Sequence, residues 1–203
     1  MDSYRSDLLD LLLTLVDRLP RDPLAVLEVG AVPPAYRREY RTSARGSVVE
    51  SLLIQRGTPA RAYRIVDRDP TTEPDLVWDL ERPPAQGVEA ELVVCSEVLE
   101  HCQRPEVVLR NLAACLRPGG RLLVTVPFLF ESHDPAPDLW RWTPAGLRTL
   151  VSRAGFEPIA EAQTPGSRSV GLLAVLTRPG EGWQASAATA RAYEILDSFG
   201  PRS

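Results

Sequence analysis

Cysteine is scarce in this chain. Its 203 residues hold three, Cys95, Cys102 and Cys115. No two form a CxxC pair and no spacing matches a zinc site, which excludes a disulfide framework and predicts no bound metal. His101 beside Cys102 invites a metal reading, but the pattern favours a strand cysteine at 95 and helix cysteines at 102 and 115, with His101 in packing or capping. Free thiols fit a reducing cytoplasm. Long apolar runs are also missing. The N-terminal leucines follow Asp2, Arg5 and Asp7 and are accompanied by Asp10 and Asp17, so neither a signal peptide nor a membrane span is expected. Positive charge is not in excess: the net charge is −4 and the pI is near 5.3. A broad nucleic-acid footprint is therefore not expected, although arginines cluster between Arg37 and Arg45. GxGxxG is absent, which argues against a nicotinamide oxidoreductase. Internal repeats and a second domain boundary are absent too.

What is present is a hydrophobic fraction of 44 %, enough for the core of one domain. The run from Leu24 to Gly30 is short, apolar and closed by glycine. It predicts a buried parallel strand, the first and central one, ending in a tight turn that forms the ligand site. Further strands are expected over 61–66, 76–80, 90–95, 121–126, 157–162 and 170–177. Helices are expected over 3–19, 47–56, 105–116, 144–154 and, in the tail, 184–199. Ser47 with Glu50 resembles a capping box, and Pro118-Gly119-Gly120 is a turn signal. The leucine-rich first helix needs cover on more than one side. Packing on the sheet is the plain reading; a lid or a homodimer contact is the sharper one.

The order of these strands, with Glu28-Val29-Gly30 on the first, Asp67 and Asp79 closing the second and third, Ser96-Glu97 closing the fourth and Pro118-Gly119-Gly120 before the fifth, resembles a class I S-adenosylmethionine (SAM)-dependent methyltransferase. The resemblance covers residues 24–177. It implies an α/β fold: a Rossmann-like three-layer sandwich around a mostly parallel seven-stranded sheet with one antiparallel strand near the edge. It also implies an N-terminal helix at 1–20 packed on the core, a methyltransferase domain at 21–178 and a helical tail at 179–203. The loop of that family reads ExGxGxG. Here it reads Glu28-Val29-Gly30-Ala31-Val32-Pro33-Pro34, with one glycine; Val32 is branched and the two prolines lack amide donors.

The resemblance implies a set of cofactor residues. Asp67 stands where nucleotide-binding sheets place the acid that accepts from ribose hydroxyls, with Arg68 beside it. Asp79 would accept from the adenine amino group and Leu80 would supply a backbone amide. Glu28 would order the loop of Gly30 and Ala31 near the methionine amino end. Arg37, after Tyr36, would neutralise the methionine carboxylate. Ser96 and Glu97 would touch the methionine portion or the acceptor. The stretch Pro127 to Thr143 resembles the H…P-D-x-x-R-x-T signature of a methyltransferase subgroup of glycan and natural-product pathways. It lies over the acceptor side. His133 has the pKa range of a general base; Asp138 would orient it or bind Arg141. Phe128, His133, Trp140, Arg141 and Trp142 would contact the acceptor, and Thr143 would cap the next helix ahead of Pro144.

Two functions follow. The first is SAM-dependent transfer of a methyl group to oxygen or nitrogen of a small polar acceptor, such as a natural product or sugar, leaving S-adenosylhomocysteine. The second is a methyltransferase-like fold that no longer methylates, serving as a binding partner or scaffold subunit or using the cleft for another reaction. The loop at Val32-Pro33-Pro34 favours the second. Asp67, Asp79, Glu97 and the His133 stretch favour the first.

Overall fold

The computed structural model describes residues 3–30, 47–132 and 137–177. Its elements are α1 (Ser3–Val16), β1 (Ala25–Val29), α2 (Val48–Gln55), β2 (Ala62–Asp67), β3 (Leu76–Val77), β4 (Ala90–Ser96), α3 (Pro105–Ala114), β5 (Leu116–Pro127), α4 (Pro144–Arg153), β6 (Phe156–Gln163) and β7 (Ser169–Leu176). Seven strands form one sheet in the order β3-β2-β1-β4-β5-β7-β6. Strands β1 to β5 pair in parallel, while β7 runs antiparallel to both β5 and β6. This is the Rossmann-like α/β arrangement with a single reversed strand next to the edge.

Alternation along the strands builds two cores. Leu27, Val29, Val66, Val93, Cys95, Leu122, Val124 and Val126 face Val108, Leu109 and Leu112 of α3 and Leu147 and Val151 of α4. Their neighbours Val26, Tyr63, Ile65, Leu92, Val94 and Leu123 face Leu12, Leu15 and Val16 of α1 and Val49, Leu52 and Leu53 of α2. Burial on both faces is why these strands read as unbroken apolar runs. Each fully buried leucine contributes roughly 1.5–3 kcal/mol.

Helix α1 lies against β6, β7 and α2. Its fit depends on Gly171 of β7, where a Cβ would come within 2.7 Å of Leu15. Past its C-terminus, Arg56 donates to the carbonyls of Val16 (2.6 Å), Asp17 (3.1 Å) and Leu19 (2.8 Å). One guanidinium thus satisfies groups that a helix end leaves without intrahelical partners. Among the described residues no helix is long and apolar enough to cross a membrane.

The boundaries of several elements differ from the sequence expectation; α1 ends at Val16 rather than 19, and the differences at β3 and at the junction of α3 with β5 have local causes. Strand β3 ends at Val77 because the Trp78 amide donates to Asp67 O (2.9 Å) and Asp79 turns the chain by accepting from Glu81 N (3.0 Å). Helix α3 stops at Ala114, and β5 begins at Leu116, which pairs with Ala90. The Pro118-Gly119-Gly120 signal is therefore absorbed as an irregularity within the strand pairing: Ala90 opposes Leu116, but Leu92 opposes Arg121. The tail helix expected at 184–199 lies outside the described residues.

Candidate active site

The strand order reverses between β1 and β4, the switch point at which open α/β sheets bind ligands beyond the carboxyl ends of their strands. Gly30 closes β1 there with φ +85°, its amide donating to Val66 O (2.9 Å). A Cβ at this position would stand 2.7 Å from Val98 Cγ2 on the loop after β4. Glycine is thus required by both the backbone conformation and the close approach.

Glu28 points to the helix α2 side of the sheet. It is 7 % exposed, and the Tyr63 hydroxyl donates to its Oε2 (3.1 Å). The same hydroxyl shares a 2.9 Å bond with Ser47 Oγ. Ser47 is the N-cap of α2 and accepts from Glu50 N (2.8 Å), as its spacing predicted. Burial pushes the Glu28 carboxyl up to about 7, against the lowering effect of Ser47 and Tyr63.

Asp67 is half-buried at the tip of β2; its Oδ1 accepts from Asp69 N (2.9 Å) and opens the turn at Pro70–Thr72. Arg68 and Asp79 are exposed and Leu80 is buried. Asn111 of α3 fixes the loop between them by donating to the carbonyls of Leu80 (2.8 Å) and Arg82 (2.9 Å). At the tip of β4, Ser96 Oγ and Thr125 Oγ1 share a bond of 2.8 Å. Glu97 has φ 52°, its amide donates to Thr125 O (3.0 Å), and its Oε2 accepts from Ser169 Oγ (3.4 Å).

The acceptor-side segments are tied to one another by polar bonds. Arg141 makes a two-armed bridge to Asp138, 2.6 Å on the Nη2–Oδ2 arm, with the Asp138 side chain 3 % exposed. It also donates to the carbonyls of Phe130 (3.0 Å) and Glu131 (2.8 Å). The hydrogen bonds to Asp138 raise the Arg141 pKa, so the guanidinium stays charged. Trp140 Nε1 donates to Cys102 O (2.8 Å), and the rings of Trp140 and Trp142 lie 6.3 Å apart. Phe128 N donates to Arg168 O (2.7 Å). Thr143 caps α4 by accepting from Gly146 N (3.1 Å). His101 Nδ1 lies 2.9 Å from Pro137 O; a carbonyl only accepts, so that nitrogen carries a proton.

The structure thus brings Gly30, Asp67, Ser96 and Glu97 to neighbouring strand ends, places Asp79 and Leu80 past β3, and gathers Phe128, Asp138, Trp140, Arg141 and Trp142 in the segments following β5. Glu28 lies behind the strand tip. Ala31, Arg37 and His133 lie outside the described residues, as do Tyr36 and the Val32-Pro33-Pro34 segment. Sequence reasoning missed Glu100, Tyr63 and Ser169. Glu100 is fully buried, its carboxyl raised well above the ordinary range first by burial and then by Glu97. It sits in the 3₁₀ segment Leu99–His101, three residues after Glu97, whose left-handed backbone breaks any helical alignment between the two. Tyr63 was legible as the β2 residue sharing a sheet face with Glu28, since Glu28 pairs with Ile65 and Tyr63 lies two residues earlier. The three cysteines are free thiols. Burial raises Cys102 and Cys115 to about 12. Among the described residues no group of three or more His, Cys, Asp or Glu could hold a metal ion.

Comparison with known proteins decides the family. The model of the methyltransferase domain family matches residues 1–163. The chain belongs to this family. Its fold is that of the class I SAM-dependent methyltransferases. No curated protein matches it by sequence. Among solved structures, it is similar to a chain of the complex between the Haloferax volcanii Trm112 methyltransferase activator and a putative methyltransferase. That match has TM-score 0.62 and 16 % identity, covering 81 % of this chain and 87 % of the other. It is also similar to Burkholderia thailandensis 1,6-didemethyltoxoflavin-N1-methyltransferase, solved with 1,6-didemethyltoxoflavin and S-adenosylhomocysteine (TM-score 0.61, 19 % identity, 87 % of this chain and 82 % of that one). A third is the N-methyltransferase NodS of Bradyrhizobium japonicum WM9 with S-adenosylhomocysteine (TM-score 0.56, 14 % identity, 87 % of each chain). At these identities the likeness shows the fold. The residues present fit the cofactor: the carboxylates of Asp67 at the tip of β2 and Asp79 just past β3 suit hydroxyl and amino donors, and Gly30 gives the sharp turn after β1.

Proposed function

We propose that this methyltransferase binds SAM across the tips of β1, β2 and β4 and transfers its methyl group to oxygen or nitrogen of a small polar acceptor, natural-product or sugar-like. The observation that carries the reading is the placement of Gly30, Asp67 and Glu97 at the switch point. SAM, when bound, supplies a methyl group already activated by a sulfonium. The chain has then mainly to hold the reactants in line and exclude water.

Asp67, with Arg68 beside it, takes the ribose hydroxyls; Asp79 and Leu80 take the adenine edge. Gly30 and Ala31 let the backbone approach, and Glu28, Arg37, Ser96 and Glu97 serve the methionine portion. On the acceptor side Phe128, Trp140 and Trp142 wall the pocket. Arg141 is held by Asp138, and the His133 imidazole accepts the proton released by the acceptor hydroxyl or amine. The Burkholderia thailandensis N1-methyltransferase, solved with 1,6-didemethyltoxoflavin, supports a small-molecule acceptor. The buried thiols support a reducing, cytoplasmic setting, and α1 leaves a homodimer open to test.

Calorimetric titration with S-adenosylhomocysteine tests the reading. Saturable one-site binding is expected, weakened about 10- to 100-fold in Asp67→Ala, the range of a charged hydrogen-bonding group. Absence of binding in the wild-type protein overturns it and restores the non-methylating alternative.

A further inference from the structure

Behind the cofactor strand stands a polar group that the proposed chemistry does not use. Tyr63 of β2 is 8 % exposed, yet its hydroxyl is engaged with two partners at once, Glu28 Oε2 at 3.1 Å and Ser47 Oγ at 2.9 Å. Glu28 lies in β1 two residues before Gly30, and Ser47 is the N-cap of α2. One phenol therefore joins both ends of the segment that links β1 to α2. A tyrosine whose only task was to fill this core would be served by phenylalanine, since a buried hydroxyl costs free energy unless it is bonded.

We propose that Tyr63 is a positioning residue for cofactor binding, fastening the Glu28 carboxyl and the N-cap Ser47 to each other at the tip of the first strand. The proposal rests on the cofactor reading above and deepens it. The phenol donates to Glu28, so it favours the charged carboxylate, the form that attracts the ammonium of the cofactor's amino-acid end. Two titratable groups face Glu28 among the described residues: Tyr63 from β2 and Glu50 from α2, the latter opposing ionisation. The β4 neighbour in register is the apolar Val94. Tyr63 itself is raised well above 10 and stays protonated. The carboxyl titrates at about 7, so ligand affinity rises as pH passes through neutrality. Removing the phenol moves that rise to higher pH.

The test uses Tyr63→Phe and Glu28→Gln in the full chain. Calorimetry with S-adenosylhomocysteine from roughly pH 5.5 to 8.5 is paired with a carbon NMR titration of the Glu28 carboxyl without ligand. In Tyr63→Phe the NMR midpoint is expected to move up, and affinity at pH 7 to fall about 3- to 10-fold, the range of one hydrogen bond. The loss should fade at the highest pH. In Glu28→Gln the affinity should lose its pH dependence. An unmoved NMR midpoint overturns the fastening. A moved midpoint with equal affinity in wild type and Tyr63→Phe at every pH reduces Tyr63 to a structural residue and overturns the positioning role. A moved midpoint with no ligand binding even in the wild type places the failure in the cofactor reading, and the positioning role falls with it.

Discussion

The two sides of the cleft hold their polar residues in different ways. On the cofactor side the carboxylates of Asp67 and Asp79 each accept from the amide two residues on, turn-forming contacts that leave Asp79 exposed and Asp67 half-buried; Glu28 and Glu97 reach further, to Tyr63 and Ser169. On the acceptor side the bonds reach across segments. Arg141 spans to Asp138, Phe130 and Glu131, Trp140 to Cys102, and Leu139 to the carbonyl of Glu100. The P-D-x-x-R-x-T residues therefore fasten the segments after β5 to one another. In one region the carboxylates shape their own turns; in the other equally polar groups tie separate segments together.

The largest way to break this contrast is Asp138→Ala. It leaves the half-buried Arg141 guanidinium without its carboxylate partner, which costs about 1.5–3 kcal/mol, the range of hydrogen bonds to a charged group with part of the loss screened by solvent. Urea unfolding should show that loss, and replacing Asp138 and Arg141 together with leucine and methionine should cost less than the single change. Next is the pH response. The Glu28 carboxyl is raised, so the folded state holds a proton that the unfolded chain has released. Stability is fully present below about pH 4.5 and is lost as pH rises to about 7. The loss is on the order of 2–3 kcal/mol, and Glu28→Gln should remove that share of it. Glu100 contributes with the same sign at higher pH. Gly30→Ala follows at roughly 1–3 kcal/mol for a side chain forced into a left-handed conformation. It should also reduce S-adenosylhomocysteine affinity, because Val98 must give way.

The sheet was legible because its strands are buried on both faces, so apolar runs stand out and Gly30, Asp67 and Ser96 fall at their ends. The reversed strand β7 was legible as one of two final strands after α4. The bulged start of β5 was not: proline and two glycines signal a turn in any one-dimensional reading, and only pairing with β4 turns them into strand. Glu100 was hidden for a related reason. It sits in the short run Leu99–His101, where a polar letter looks exposed, and the chain that crosses it, with Leu139 N donating to its carbonyl, lies about forty residues away. Thr143 and Ser47 were legible because capping is local: donor and acceptor are three residues apart.

The smallest expected effect is the sharpest test of the contrast. Asp67→Ala and Asp79→Ala each remove a carboxylate that accepts from an amide two residues on, Asp79 exposed and Asp67 half-buried. Water can take over those amides, so unfolding free energy should change by no more than about 0.5 kcal/mol in Asp79→Ala and about 1 kcal/mol in Asp67→Ala. The same substitutions should weaken S-adenosylhomocysteine binding by more than tenfold. Chemical unfolding and calorimetry on the same samples would separate the two quantities. A residue that costs affinity without costing stability is one that the fold exposes to a ligand. If Asp67→Ala instead destabilised the protein as Asp138→Ala does, the acid would belong to the scaffold, and the two sides of the cleft would be built alike.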